Sequence, residues 1–137
     1  MILAQSNATA TLNGMTADLG ATPSIAIYSG TAPAGPDTAL SGNTLLVSGI
    51  VSSLGTPTYS SALSGMASTA TMSASSYTPV TSGTASFARI LTSGSVAKQQ
   101  LSVGTSGTEV VLGNASIQTG VSVNFTSVQL AIPSQSG

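Results

Sequence analysis

Residues Thr81–Pro133, TSGTASFARILTSGSVAKQQLSVGTSGTEVVLGNASIQTGVSVNFTSVQLAIP, form the stretch on which the fold turns. One tripeptide recurs in it, as Thr81-Ser82-Gly83, Thr92-Ser93-Gly94 and Thr105-Ser106-Gly107, each time between apolar runs of strand length. Ser and Thr hydroxyls bond nearby backbone groups and Gly accepts a positive φ, so each copy predicts a tight turn. The runs between them, Ala85–Leu91, Val96–Val103 and Glu109–Leu112, then read as successive antiparallel strands. In the last run, Val121–Ile132, one face carries Val121, Val123 and Phe125, whereas the other carries Val128, Leu130 and Ile132. Its buried face must therefore switch near Thr126–Val128, as a bulged strand or a strand pair allows. The stretch reads as a β meander.

Outward from it, Ser24–Ser29 is an alternating strand with Ile25 and Ile27 on one face, and Pro23 sits just before it, where a missing N–H does least harm. A Pro/Gly loop, Gly30–Gly42, follows, and then a strand over Thr44–Val51 with Gly49 as its expected bulge. Ala8, Leu12, Met15 and Leu19 fall on one helical face, which predicts a short helix over Ala8–Leu19, stopped by Gly20 and docked on a sheet edge or on a neighbouring subunit. In Ser52–Ser82, Met66–Met72 and Tyr77–Val80 read as edge strands and Leu54–Ser64 as loop. The expectation is one all-β domain over residues 1–137, an antiparallel β-sandwich or jelly roll of about seven to nine strands. It would comprise an N-terminal arm or short helix over 1–21, the sandwich over 22–133 and a fraying polar tail, Ser134–Gly137.

The composition narrows function by exclusion. Only Asp18, Asp37, Arg89, Lys98 and Glu109 carry charge, 4% of the chain where a soluble domain usually has about a quarter. Ser and Thr number 25 and 19, yet a mean hydropathy of +0.40 and recurring Val/Ile/Leu runs argue for a folded core. A surface made of hydroxyls, amides and small apolar groups favours association, because nothing repels a neighbour. With no Cys there is no disulfide or thiolate chemistry. Two basic residues cannot track a phosphate backbone, so nucleic acid is not an expected partner. No apolar run is long enough to span a membrane, and residues 1–20 lack a signal-peptide pattern.

With no His and three carboxylates far apart in sequence, neither acid–base catalysis nor a metal or cofactor site is expected. A Ser/Lys pair on Lys98 is formal only, since any Ser could be its partner. Arg89 shares a strand face with Phe87 and Leu91, and either a solvated strand-end position or an intersubunit contact to Asp37 or Glu109 would suit it. Asp37, Arg89, Lys98 and Glu109 are thus the candidate contact residues, and any ion pair among them would set register more than stability. The sequons at Asn7, Asn114 and Asn124 are matches expected by chance in so Ser/Thr-rich a chain, and the Thr-x-Thr pairs follow ordinary strand propensity.

Ile27-Tyr28-Ser29-Gly30, Ser41-Gly42-Asn43-Thr44-Leu45, Phe87-Ala88-Arg89-Ile90, Val103-Gly104-Thr105-Ser106-Gly107 and Asn114-Ala115-Ser116-Ile117 follow in that order. This pattern resembles a family of small virion proteins of tailed bacteriophages. The chain departs from that family in lacking most of its charges, including the acidic position after Thr-Ser-Gly, where Thr108-Glu109 stands. The resemblance implies a non-enzymatic virion component assembled in the host cytoplasm. The expected role is a capsid decoration or cement protein, trimeric, that bridges major capsid protein subunits or other virion proteins. A head–tail collar or fibre component and a glycan-binding adhesin-type module are the alternatives.

Overall fold

A computed structural model describes residues 2–135. The chain opens with a helix, α1 (Gln5–Leu19), one turn longer at its start than the periodicity predicts. Ala8, Leu12 and Leu19 are buried, and Gly20 ends the helix at φ +87° with its N–H on the Ala17 carbonyl. Strands β1 (Ser24–Ser29), β2 (Thr44–Leu54), β3 (Thr58–Ser60), β4 (Gly65–Met72), β5 (Gly83–Thr84), β6 (Phe87–Leu91), β7 (Ala97–Gly104), β8 (Val110–Leu112), β9 (Ser116–Ile117) and β10 (Phe125–Pro133) follow. The fold is all-β and sandwich-like with one short helix, as expected. Its eight-stranded sheet runs β10-β8-β7-β6-β1-β2-β4-β3, and β10 also pairs with β4. That last pairing closes the sheet into a ring, which removes most of its free edges. β5 and β9 form a separate two-stranded ribbon.

Several expectations are corrected. Met66–Met72 is not an edge: β4 pairs with β10 on one side and with β2 and β3 on the other. Leu54–Ser64 is not all loop, because β3 continues the line of β2 along β4 after a break at Gly55–Pro57. Tyr77–Val80 is no strand; Tyr77 makes a lone bridge to Val123, and the Val80 N–H reaches the Leu46 carbonyl. The irregularities in β2 lie at Leu46, opposite Ile27/Tyr28, and between Val51 and Ser53 against β4, while Gly49 pairs regularly with Ile25. Gly49 is small for another reason: a Cβ there would meet Met72 Cε and Tyr77 Cζ, each at 2.9 Å. The helix does not dock on a sheet edge. It packs on β4 and β10, and its apolar face joins the core built by Ile25, Ile27, Leu46, Ile90, Leu112 and Leu130. The tail is tied down at its start: Ser134 is buried and bridges Leu3, and the Gln135 N–H donates to the Leu3 carbonyl. Ser136 and Gly137 lie outside the described residues.

The three Thr-Ser-Gly copies do three different things. At Thr92-Ser93-Gly94 the β6–β7 hairpin forms, but Ser95 takes the positive φ (66°). Gly83 lies in β5, where a Cβ would press within 2.9 Å of Leu46 Cδ2. Only Gly107 turns left-handed, at φ 68°. There the chain doubles back before β8 starts, so β7 and β8 pair in parallel, Val103 with Val110 and Gly104 with Val111, and the meander is broken. The parity switch of the last run is real: the β10–β8 register shifts between Phe125 and Ser127, with Val123 buried before it and Val128 and Leu130 after.

Candidate functional site

The few charged side chains mark two polar constructions. The first is on the outer face of β1, β6 and β7, where cross-strand neighbours Ala26, Arg89 and Gln100 stand in a row. The loop between β1 and β2 folds over them. Arg89 Nη2 donates to the carbonyls of Thr38 (2.7 Å) and Gly35 (3.1 Å), and Nε donates to Gln100 Oε1 at 3.3 Å. Gln100 Nε2 donates to the Pro33 carbonyl at 2.7 Å. Asn43 ties the loop's two ends, with Nδ2 on the carbonyls of Ser29 and Thr31 and Oδ1 accepting from the Ser41 N–H. Tyr28 and Phe87, the next cross-strand pair on the same face, stack with ring centroids 5.3 Å apart. Arg89 is 5% exposed, so neither the solvated strand-end position nor a contact to Asp37 or Glu109 describes it. Its guanidinium is a buckle for its own loop.

The second construction holds Glu109. The 102/109 pair is reciprocal: Glu109 N–H donates to Ser102 Oγ (3.0 Å), and Ser102 N–H points at Glu109 Oε1 (3.5 Å). Oε2 accepts from the Ala131 N–H at 3.3 Å. The carboxylate thereby bridges β7 and β10 at the head of β8. It stands in an open cleft of about 310 Å³ walled by Ser64 and Ser102 as well as by Ala62, Leu63, Ala131 and Pro133. Burial pushes the Glu109 pKa above the ordinary 4.5, against the smaller opposing pull of the Ala131 and Ser102 amides. The folded chain therefore holds this proton more tightly than the unfolded chain. Stability should rise as pH falls from above the raised value toward 4.5, the reverse of a salt-bridged carboxylate. Thermal unfolding across that window should show the rise in the native chain and a flatter profile in Glu109→Gln; equal profiles would refute the burial argument.

The remaining candidates are ordinary. Lys98 Nζ meets Asp18 Oδ2 at 3.3 Å, with side chains 40% and 62% exposed. Such a pair contributes about 0–1 kcal/mol and pins the end of α1 to β7. Asp37 is exposed in the loop that Arg89 holds, with no ion pair among the described residues. The structure does not bring Asp37, Arg89, Lys98 and Glu109 together. Gln100 and Ser102 were missed in the sequence, although each is a polar side chain facing a neighbouring charged residue across strands. Among the described residues no group of three metal-ligating side chains converges, and no helix is long and apolar enough to cross a membrane. Comparison of the chain with protein families, with curated proteins and with solved structures finds no match.

Proposed function

We propose that the protein is a non-enzymatic structural component of a phage virion, acting as a capsid decoration or cement protein that bridges neighbouring capsid subunits. One observation carries this reading. Of the chain's five charges, Arg89 lies under its own loop, Glu109 stands in its cleft and Lys98 is paired with Asp18, which leaves Asp37 as the one exposed charge without an ion pair among the described residues. The exterior is left nearly neutral, studded with single exposed apolar side chains such as Ile50, Val80, Val96 and Val121. A face of that kind gains from being covered and has little charge to desolvate. The ring closure supports the same use, since a sheet with few open edges associates through faces and loops and not by strand pairing. The resemblance to small tailed-phage virion proteins supports a structural virion role, and a trimer is the assembly proposed. The glycan-binding alternative finds less support, because Tyr28, Tyr59 and Tyr77 are each partly buried and Tyr77 Oη is engaged with Ser73, Ala74 and Ile50.

The test is particle association. In a lysate of cells that make the chain, the protein should band with virus particles in a density gradient. It should stay bound in about 1 M salt, where exposed charges are screened beyond about 3 Å. Isolated, it should sediment as an oligomer. A strictly monomeric protein that no particle carries would end this reading.

A further inference from the structure

We propose that the Glu109 cleft is a socket for a lysine or arginine side chain supplied by a different protein. This rests on the structural role above and names the chemistry of the partner there. A carboxylate has room for about four hydrogen bonds, and Glu109 receives two, from amides at 3.5 and 3.3 Å that are too long to be strong. No cation of the chain lies within ion-pair distance of it among the described residues. The space in front, about 310 Å³, is enough for one long side chain. Its walls are mixed: Ala62, Leu63, Ala131 and Pro133 offer apolar surface to an aliphatic stem, Ser64 and Ser102 add polar lining, and Glu109 stands where the charged head would arrive.

A second copy of the chain is a poor donor. Arg89 is held by Gly35, Thr38 and Gln100, so Lys98, 40% exposed in a weak pair with Asp18, is the one cation a second copy could offer. With Arg89 sequestered and one weakly paired lysine per copy, the head group is assigned to another polypeptide; self-association that Lys98→Met abolishes would assign it to a second copy and overturn this. On a surface with few charges, one partly desolvated ion pair would fix the register of docking more than its strength.

The probe is N-acetyl-lysine methylamide, with N-acetyl-norleucine methylamide as its uncharged control, titrated into ¹⁵N-labelled protein at neutral pH. The lysine probe should shift the Ser102 and Ala131 amide resonances saturably. The norleucine probe, and the lysine probe on Glu109→Gln, should bind about tenfold or more weakly. Unmoved Ser102 and Ala131 resonances, equal shifts in Glu109→Gln, or equal shifts from sodium or calcium chloride would overturn the socket. Particle banding separates this from the broader reading. If the native protein bands with particles while the probe leaves the cleft unmoved, the socket falls and the virion role stands. If the probe binds and no particle carries the protein, the socket stands and the virion role falls.

Discussion

Gly65→Ala should destabilise the protein by roughly 3–4 kcal/mol, the upper range for overpacking a site that cannot yield. Gly65 starts β4 and pairs with Pro133 at the end of β10, in the ladder that closes the ring. A Cβ there would fall inside the van der Waals envelope of the Ile132 carbonyl oxygen, with the Ile132 carbonyl carbon at 2.7 Å and Pro133 Cα at 3.0 Å. All three are backbone atoms, so no rotamer change relieves the clash, and β10 itself must move. Moving it loosens the pairs Ala67–Ala131 and Met66–Ile132 behind it and the Ser134 contact to the Ser64 carbonyl. With a total stability of about 5–15 kcal/mol for a domain of this kind, much of the folded population would be lost on warming. Gly113→Ala is the control, since nothing lies within 4 Å of a Cβ there and its φ is not positive. Urea unfolding of the two variants decides the matter. A Gly65→Ala midpoint no lower than that of Gly113→Ala would mean that ring closure contributes nothing.

What was legible in the sequence was what depends on neighbours along the chain. Ile25 and Ile27 alternate with Ala26 and Tyr28, and the two isoleucines are in the core. Ala8, Leu12 and Leu19 recur at helical spacing, and that face is buried. The change of parity between Val123 and Val128 is itself a sequence fact, so the bulge could be located from it. Pairing across long separations left no local trace. β3 is three residues of ordinary Thr-Tyr-Ser, defined as a strand only because β4 lies beside it. The parallel run of β8 on β7 depends on how residues 105–109 double back, which Gly107 permits and does not specify. Gly49 and Gly83 resemble turn or bulge glycines in sequence, yet each is small because a distant side chain lies against it. The Glu109 cleft is assembled from the β3–β4 turn, β7, the β8 approach and β10, so only the isolated acid was visible beforehand. The same limit hid the burial of Arg89, whose cover arrives from residues more than fifty positions upstream.

Arg89→Met should cost about 2–3 kcal/mol and free the loop between β1 and β2. Methionine keeps the stem's apolar bulk, so what is removed is the guanidinium and its bonds to Gly35, Thr38 and Gln100. Bonds to a charged donor contribute about 1.5–3 kcal/mol each. Against them stands the cost of holding a guanidinium at 5% exposure with no carboxylate within 4 Å among the described residues, an effective penalty of several kcal/mol. The net is therefore well short of the sum of the three bonds. Arg89→Lys should lose most of the same stability despite keeping the charge, because one compact ammonium cannot copy the fork that spans two carbonyls and an amide. Gln100→Ala, which removes both the acceptor of Arg89 Nε and the donor to the Pro33 carbonyl, should cost about 2 kcal/mol. Its effect should not add to that of Arg89→Met, since both act through the same loop. Limited proteolysis gives the readout a general loss of stability would not mimic. Under native conditions, cleavage within residues 31–40 should accelerate in Arg89→Met while the rest of the chain stays protected. Unchanged protection of that loop would show that Asn43 and its bonds to Ser29 and Thr31 suffice to hold it, and that the buried arginine has some other purpose.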